Sequence, residues 1–543
     1  MLRRTLVTAA LAALLLTPSA ALAGSEQQSM FQDDDLLEFS PPSKVTDTLN
    51  TLRALGVDRV RVTVFWGAVA PDASSQTKPK GFDGSDPDAY ENARWERYDT
   101  LVRLAGARGI GVMFDVAGPA PKWATPNPRR KDLDSTYNPS PTEFNAFVRA
   151  LGTRYSGSFL AKDDRPKTVN HPAKGVPGLP GYQPAYTTTT KPGPPLPRVD
   201  WWEIWNEPNQ PGWLTPQWTQ HGSKGHRAWV PTSPTLYRGL ADAMYNGLSS
   251  TGHGSDTILI GVTAPKGLNV KGISRAIKPQ QFITELYCVN KYNEVYRGRA
   301  ARIRGCPTKD PLTTFPAQHP VLFKASGFSH HPYELTFAPN KKPTDPLYLT
   351  IANLPKLSDT LRRAWLRYRQ PVGAHGVPLY LTEFGYQTNP PDRLGVSPTR
   401  QAAYLDEAEY IAWRNPAVKT LSQFLLRDGG APVDLTFQSG LRYINGANKP
   451  AFNAYKLPIW VPSPHTRHGK RMRVWALTRP ADNGHAPTVQ IQFRARGSKS
   501  WRAIGTRSGT ADRGYVWTTV IARGRGALRI SWNGQESRSV SVG

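Results

Sequence analysis

Trp202-Glu203-Ile204-Trp205-Asn206-Glu207-Pro208-Asn209 is the stretch on which the fold turns. Its first half is bulky and apolar enough for a buried strand. Its second half ends that strand, because Pro208 has no N–H to donate and a fixed φ. Glu207 therefore stands where a strand runs out into a loop. A second run, Leu379-Tyr380-Leu381-Thr382-Glu383-Phe384-Gly385-Tyr386, has the same form and puts Glu383 at the carboxyl end of another strand.

Working outward, further short apolar runs read as strands at 60–64, 110–116, 201–205, 257–262, 327–330, 379–382 and 420–425, with Met30-Phe31 as a short first one. Amphipathic helical patterns lie between them, at 45–55, 98–107, 144–155, 236–248, 357–368 and 402–413. Helix–strand units in alternation imply a parallel sheet covered on both faces. Eight of them predict an α/β fold of the closed (β/α)8 TIM-barrel kind, in which active sites sit at the carboxyl ends of the strands. The predicted barrel spans 24–460. It exceeds the usual ~250 residues, and the excess is assigned to two insertions, at 157–200 and 264–325, read as loops decorating one end. After Pro458 the pattern changes to short strands of period two, such as Val489, Ile491 and Phe493 alternating with Gln490, Gln492 and Arg494. Residues 461–543 are expected to form a small all-β sandwich.

The 543 residues include 16 tryptophans and 10% aromatics, which excludes a disordered chain. Net charge is +27. The charge is dispersed, with Arg129-Arg130-Lys131 the longest basic cluster, so the reading is a solvated basic surface with possible contact to a cell wall or acidic polymer, and no nucleic acid. The tail is the most basic part, with 15 basic and 3 acidic residues in 461–543. Residues 1–23 carry Arg3-Arg4, an apolar run from Leu6 to Leu16, and Ala21-Leu22-Ala23 before Gly24: the form of a secretory signal, implying a secreted, extracellular protein. No later run is long enough to span a membrane. Export favours a disulfide between the only cysteines, Cys288 and Cys306. Two cysteines make no metal set, and no cofactor or metal is expected.

Two glutamates at one mouth of a barrel suit glycoside hydrolysis. One carboxyl protonates the leaving oxygen, and the other attacks or activates water from the opposite face. With these motifs the chain resembles the clan A retaining glycoside hydrolases, the group of secreted cellulase- and xylosidase-like barrels, over roughly residues 28–460. The resemblance implies Glu207 of Asn206-Glu207-Pro208 as acid/base and Glu383 as nucleophile. It also implies substrate contacts from Asn206, Arg61, Trp66, His331 and Tyr333, the last two through His331-Pro332-Tyr333. The expected function is hydrolysis of O-glycosidic bonds in an oligo- or polysaccharide by double displacement. The alternative is a non-catalytic carbohydrate-binding wall protein that retains the barrel; a pure binder has no need of both carboxylates.

The sequence also departs from the clan. Ala117 follows Phe114-Asp115-Val116 where some members carry histidine. The strand 8 run Ser422-Gln423-Phe424-Leu425-Leu426-Arg427-Asp428 lacks the tryptophan that floors the sugar site in many. Either Gln423 or Arg427 replaces that contact, or both belong to a solvated strand end. Trp66, Trp123, Trp205 and Trp213 are candidates for stacking on sugar faces, with Trp205 open to pointing into the outer layer instead.

Overall fold

The computed structural model describes residues 26–433, 436–465, 470–481, 484–522 and 524–543. The leader read at 1–23 lies outside the described residues. Eight parallel strands close into a barrel: β1 (Gln28–Gln32), β2 (Arg59–Phe65), β3 (Gly111–Ala117), β4 (Trp201–Ile204), β5 (Thr257–Thr263), β6 (Gly327–His330), β7 (Leu379–Phe384) and β8 (Val418–Phe424). Each pairs with its neighbours in chain order, and β8 closes on β1 with Met30 opposite Ser422. Eight helices surround the barrel: α1 (Pro42–Ala54), α2 (Asn92–Gly106), α3 (Pro141–Arg154), α4 (Ser233–Ser250), α5 (Pro279–Leu286), α6 (Leu354–Arg367), α7 (Pro398–Trp413) and α8 (Pro450–Lys456). Among the described residues no helix is long and apolar enough to cross a membrane.

Local chemistry explains the boundaries. Helices α3 and α7 both open on serine followed by proline. Ser140 accepts from the Glu143 N–H and Ser397 from the Arg400 N–H, while Pro141 and Pro398 occupy a position whose N–H would have no helical partner. In β2, Val60, Val62 and Val64 face the helices and are fully buried. Arg59, Arg61 and Thr63 take the alternate positions, which in a barrel point inward.

Both insertions differ from expectation. Residues 157–200 follow α3 and precede β4, so they lie at the amino end of the strands, away from the two glutamates. There Val199 N–H bonds the Tyr155 carbonyl, and Arg198 reaches Gly252 and Asp256 in the turn before β5. The insertion is also not all loop. Thr168–His171 and Tyr186–Thr189 pair as an exposed antiparallel hairpin, whose alternation is hidden because neither face is buried. The 264–325 segment divides. Residues 264–278 stay at the mouth, where Ile277 N–H bonds the Asn209 carbonyl. Helix α5 then takes the barrel-helix position between α4 and α6, and the remainder returns to the amino end carrying the Cys288–Cys306 disulfide.

The tail forms two antiparallel sheets around a shared core. One contains β9 (Ile459–Trp460), β10 (Arg471–Leu477) and β13 (Tyr515–Ile521); the other contains β11 (Thr488–Ala495), β12 (Arg502–Ser508) and β14 (Gly526–Trp532). The first strand begins two residues before the expected start at 461. The tail docks on α7 through rings and ion pairs. Tyr410 and Trp413 pack against Trp475, Tyr515 and Trp517. Arg479 makes two 2.9 Å bonds to Glu409, and Arg538 and Arg513 reach Asp406 and Asp58.

Candidate active site

Both glutamates reach the mouth because of how their strands end. After Ile204 the backbone enters the left-handed region at Trp205 (φ 62°) and again at Glu207 (φ 35°), a strained conformation for residues other than glycine. The twist sends Trp205 outward, edge-on to Phe144 at 5.4 Å, with its indole N–H on the Trp213 carbonyl. It leaves Asn206 and Glu207 facing inward. From β7, Glu383 comes up beside them, and the carboxylate oxygens of Glu207 and Glu383 and a ring nitrogen of His331 lie within 4.8 Å of one another. His331 Nδ1 is 3.0 Å from Glu207 Oε1 and 3.6 Å from Glu383 Oε2. The Tyr333 hydroxyl donates to Glu383 Oε2 at 3.0 Å.

Beneath the pair lies a polar layer inside the barrel. The Arg61 guanidinium is fully buried and donates to Glu383 Oε1 (2.7 Å), Asn206 Oδ1 (2.9 Å), Gln32 and Glu203. Thr382 donates to the other Glu203 oxygen at 2.8 Å, and Ser329 bonds Thr382. Asp115 lies 3.1 Å from Arg61, yet neither of its oxygens makes a hydrogen bond. One guanidinium thus faces three carboxyls in a buried interior. Burial disfavours the Arg61 charge, but Glu203, Asp115 and Glu383 hold it firmly. Burial pushes Asp115 well above the usual carboxylate range, with Arg61 opposing. Burial also raises Glu383, with His331 and Arg61 pulling it down, Glu207 pushing it up and the Tyr333 hydrogen bond lowering it.

Glu207, Glu383, Asn206, Arg61, His331 and Tyr333 are therefore brought together. Trp66 is not. It is fully buried in an aromatic cluster, stacked on Phe147 at 5.9 Å and edge-on to Trp123 at 6.2 Å. It starts the helical turn after β2, which turns its ring under the outer helices and leaves no face for a ligand. Trp205 is buried for the reason given above. Trp213 is half-buried and stacked on Phe65 at 6.4 Å, and Trp123 bonds the Pro71 carbonyl. At the end of β8, Gln423 commits its amide to the Phe424 and Ser439 carbonyls. Phe424 takes the place beside the site, edge-on to Tyr333 at 6.3 Å and to the exposed Phe437 at 5.3 Å.

The sequence reading missed Gln32, Asp115, Glu203 and Thr382. Their signal was a single polar side chain inside an otherwise apolar run, as with Asp115 between Phe114 and Val116 and Glu203 between Trp202 and Ile204, within runs read as uniformly buried. Glu207, His331 and Glu383 present oxygen and nitrogen donors that could also take a divalent cation.

No family model and no curated protein matches the sequence. Solved structures similar to the chain include a family 39 glycoside hydrolase from Bacteroides cellulosilyticus WH2, at 13% identity and TM-score 0.44, covering 92% of this chain and 80% of that one. A glucosidase from Croceicoccus marinus aligns at 13% identity and TM-score 0.46, covering 95% and 96%. An endo-beta-1,4-mannanase from Thermotoga petrophila aligns at 11% identity and TM-score 0.38, covering 95% and 97%.

Proposed function

We propose that the chain is a retaining glycosidase that cleaves O-glycosidic bonds of an oligo- or polysaccharide by double displacement. The observation that carries this reading is the spacing of the glutamates. One oxygen of each lies within 4.8 Å of the other, compatible with the ~5–5.5 Å carboxyl separation of retaining enzymes rather than the ~6.5–9.5 Å of inverting ones. Glu383, held as an acceptor by Arg61 and Tyr333, attacks the anomeric carbon. Glu207, the more exposed of the two side chains at 20% against 11%, protonates the leaving oxygen and then deprotonates water. Asn206 presents its Oδ1 to Arg61, which leaves its amide N–H groups for a sugar hydroxyl. The leader-like residues 1–23 support secretion as part of the same reading.

Azide rescue tests it. Glu383→Ala is expected to lose turnover on every substrate, and azide to give a glycosyl azide of inverted configuration. Glu207→Ala is expected to keep a fast first step on activated aryl glycosides, to accumulate the covalent intermediate, and to yield the retained azide product. Near-normal turnover of a natural substrate by both variants overturns the reading.

A further inference from the structure

Two groups of cations in the tail stand in contrast. Arg479, Arg513 and Arg538 point at the barrel, and each meets a carboxylate there. Away from the barrel, Arg494 at the end of β11, Arg496 just after it and Arg525 just before β14 have no carboxylate or hydrogen-bond partner for their side chains among the described residues. These three line one shallow concavity of about 400 Å³ together with His465, Ser498 and the backbone of Gly543, and no acidic side chain lines it among the described residues. Three guanidiniums gathered with no acidic side chain among them repel one another, and an anionic ligand relieves that repulsion.

Arg494 joins this concavity to a second feature. Its guanidinium lies 4.8 Å from the half-buried Trp501 ring, and that of Arg529 lies 4.3 Å from the same ring. Gln492 accepts from Arg529 of β14, which also pairs with Glu536, and donates to Gln490, placing two amides side by side along the outer side of β11. A cationic hollow, an indole and two amides together offer separate contacts to a carboxylate, a sugar ring and hydroxyls. A polymer of bare charges uses only the first.

We propose that this face of the tail, built on Arg494, Arg496, Arg525 and Trp501, is a binding site for a carboxylate-bearing polysaccharide, separate from the barrel mouth. It does not depend on the hydrolase reading, since binding is read without turnover. The test uses the full chain and polygalacturonate as probe, with affinity gel electrophoresis and calorimetry as readouts. Dextran, inorganic polyphosphate and duplex DNA are the comparison polymers. The expected result is retardation by polygalacturonate that fades as salt is raised, with no retardation by dextran. The paired variant Arg494→Gln/Arg525→Gln is expected to weaken binding about tenfold, and Trp501→Ala to weaken it with an unchanged melting temperature. Turnover of a small aryl glycoside is expected to stay the same in all of them. Polyphosphate or DNA binding more tightly than polygalacturonate overturns the proposal, as does undiminished binding by the paired variant.

Discussion

Tyr333→Phe isolates one hydrogen bond to the candidate nucleophile. The hydroxyl donates to Glu383 Oε2 at 3.0 Å, and the ring stacks near Phe384 at 6.2 Å, so phenylalanine keeps the packing and removes only the donor. That bond favours the ionised form of Glu383, against the burial that raises it. A hydrogen bond to a charged group contributes ~1.5–3 kcal/mol. Taking the lower figure, because the Arg61 bond to the same carboxylate remains, its loss raises the Glu383 pKa by about one unit at 1.36 kcal/mol per unit. Glu383 must be ionised to attack, so the acid limb of kcat/KM is expected to move about one unit toward higher pH. The assay is a pH profile on an aryl glycoside, with thermal unfolding as the control for folding. An acid limb that stays in place or moves toward lower pH, with unfolding unchanged, refutes the assigned role of this bond.

Burial disfavours the Asp115 charge and neither of its oxygens makes a hydrogen bond, so the neutral isostere Asp115→Asn is expected to change kcat/KM by less than about threefold. Glu203→Gln removes the ionic partner of Arg61 Nε and is expected to cost several kcal/mol in urea unfolding, in the range of ~3–5 for a broken buried pair; equal damage from both variants contradicts this ordering. Burial raises Glu407 to about 7 and Glu38 to about 9. A carboxyl raised above its unfolded value of ~4 contributes stability that is complete below that value and is lost as pH rises through its folded pKa. Melting temperature is therefore expected to fall from pH ~5 toward pH ~9, and Glu407→Gln to flatten the part of the slope below about 7; scanning calorimetry across that range checks both. Replacing Cys288 and Cys306 with serine opens a loop of sequence separation 18 at the amino end of the barrel. The expected loss is ~3 kcal/mol of stability with kcat retained, and a matching loss of kcat contradicts the placement.

The barrel was legible in the sequence because its strands and helices announce themselves locally. Val60, Val62 and Val64 mark a strand buried against helices, and Ser140-Pro141 and Ser397-Pro398 mark helix starts. The glutamates were legible for the same reason. Pro208 marks the loop after one strand and Gly385 follows the end of the other, so each carboxylate could be placed near a strand terminus without knowing the other's position. The alternating Val489, Ile491 and Phe493 likewise revealed the tail's core face.

What the tertiary structure decided depends on closure. Arg61, Asp115, Glu203 and Thr382 lie on four different strands, and no local pattern says that one guanidinium will hold three carboxyls. That follows only when the barrel brings inward positions of β2, β3, β4 and β7 to a common depth. Trp66 and Trp213 look alike in the sequence. The helical turn after β2 buries the first, and the loop after β4 leaves the second on the rim. The end of the barrel to which an insertion belongs was also a tertiary matter. Residues 157–200 lie opposite the glutamates because α3 has already carried the chain back across the barrel before they begin. Strand ends and helix caps are set by neighbours in the chain, so the sequence alone determined them; the charge layer, the buried tryptophan and the placement of the loops are set by residues far apart in the chain, whose energies exist only once the fold has closed.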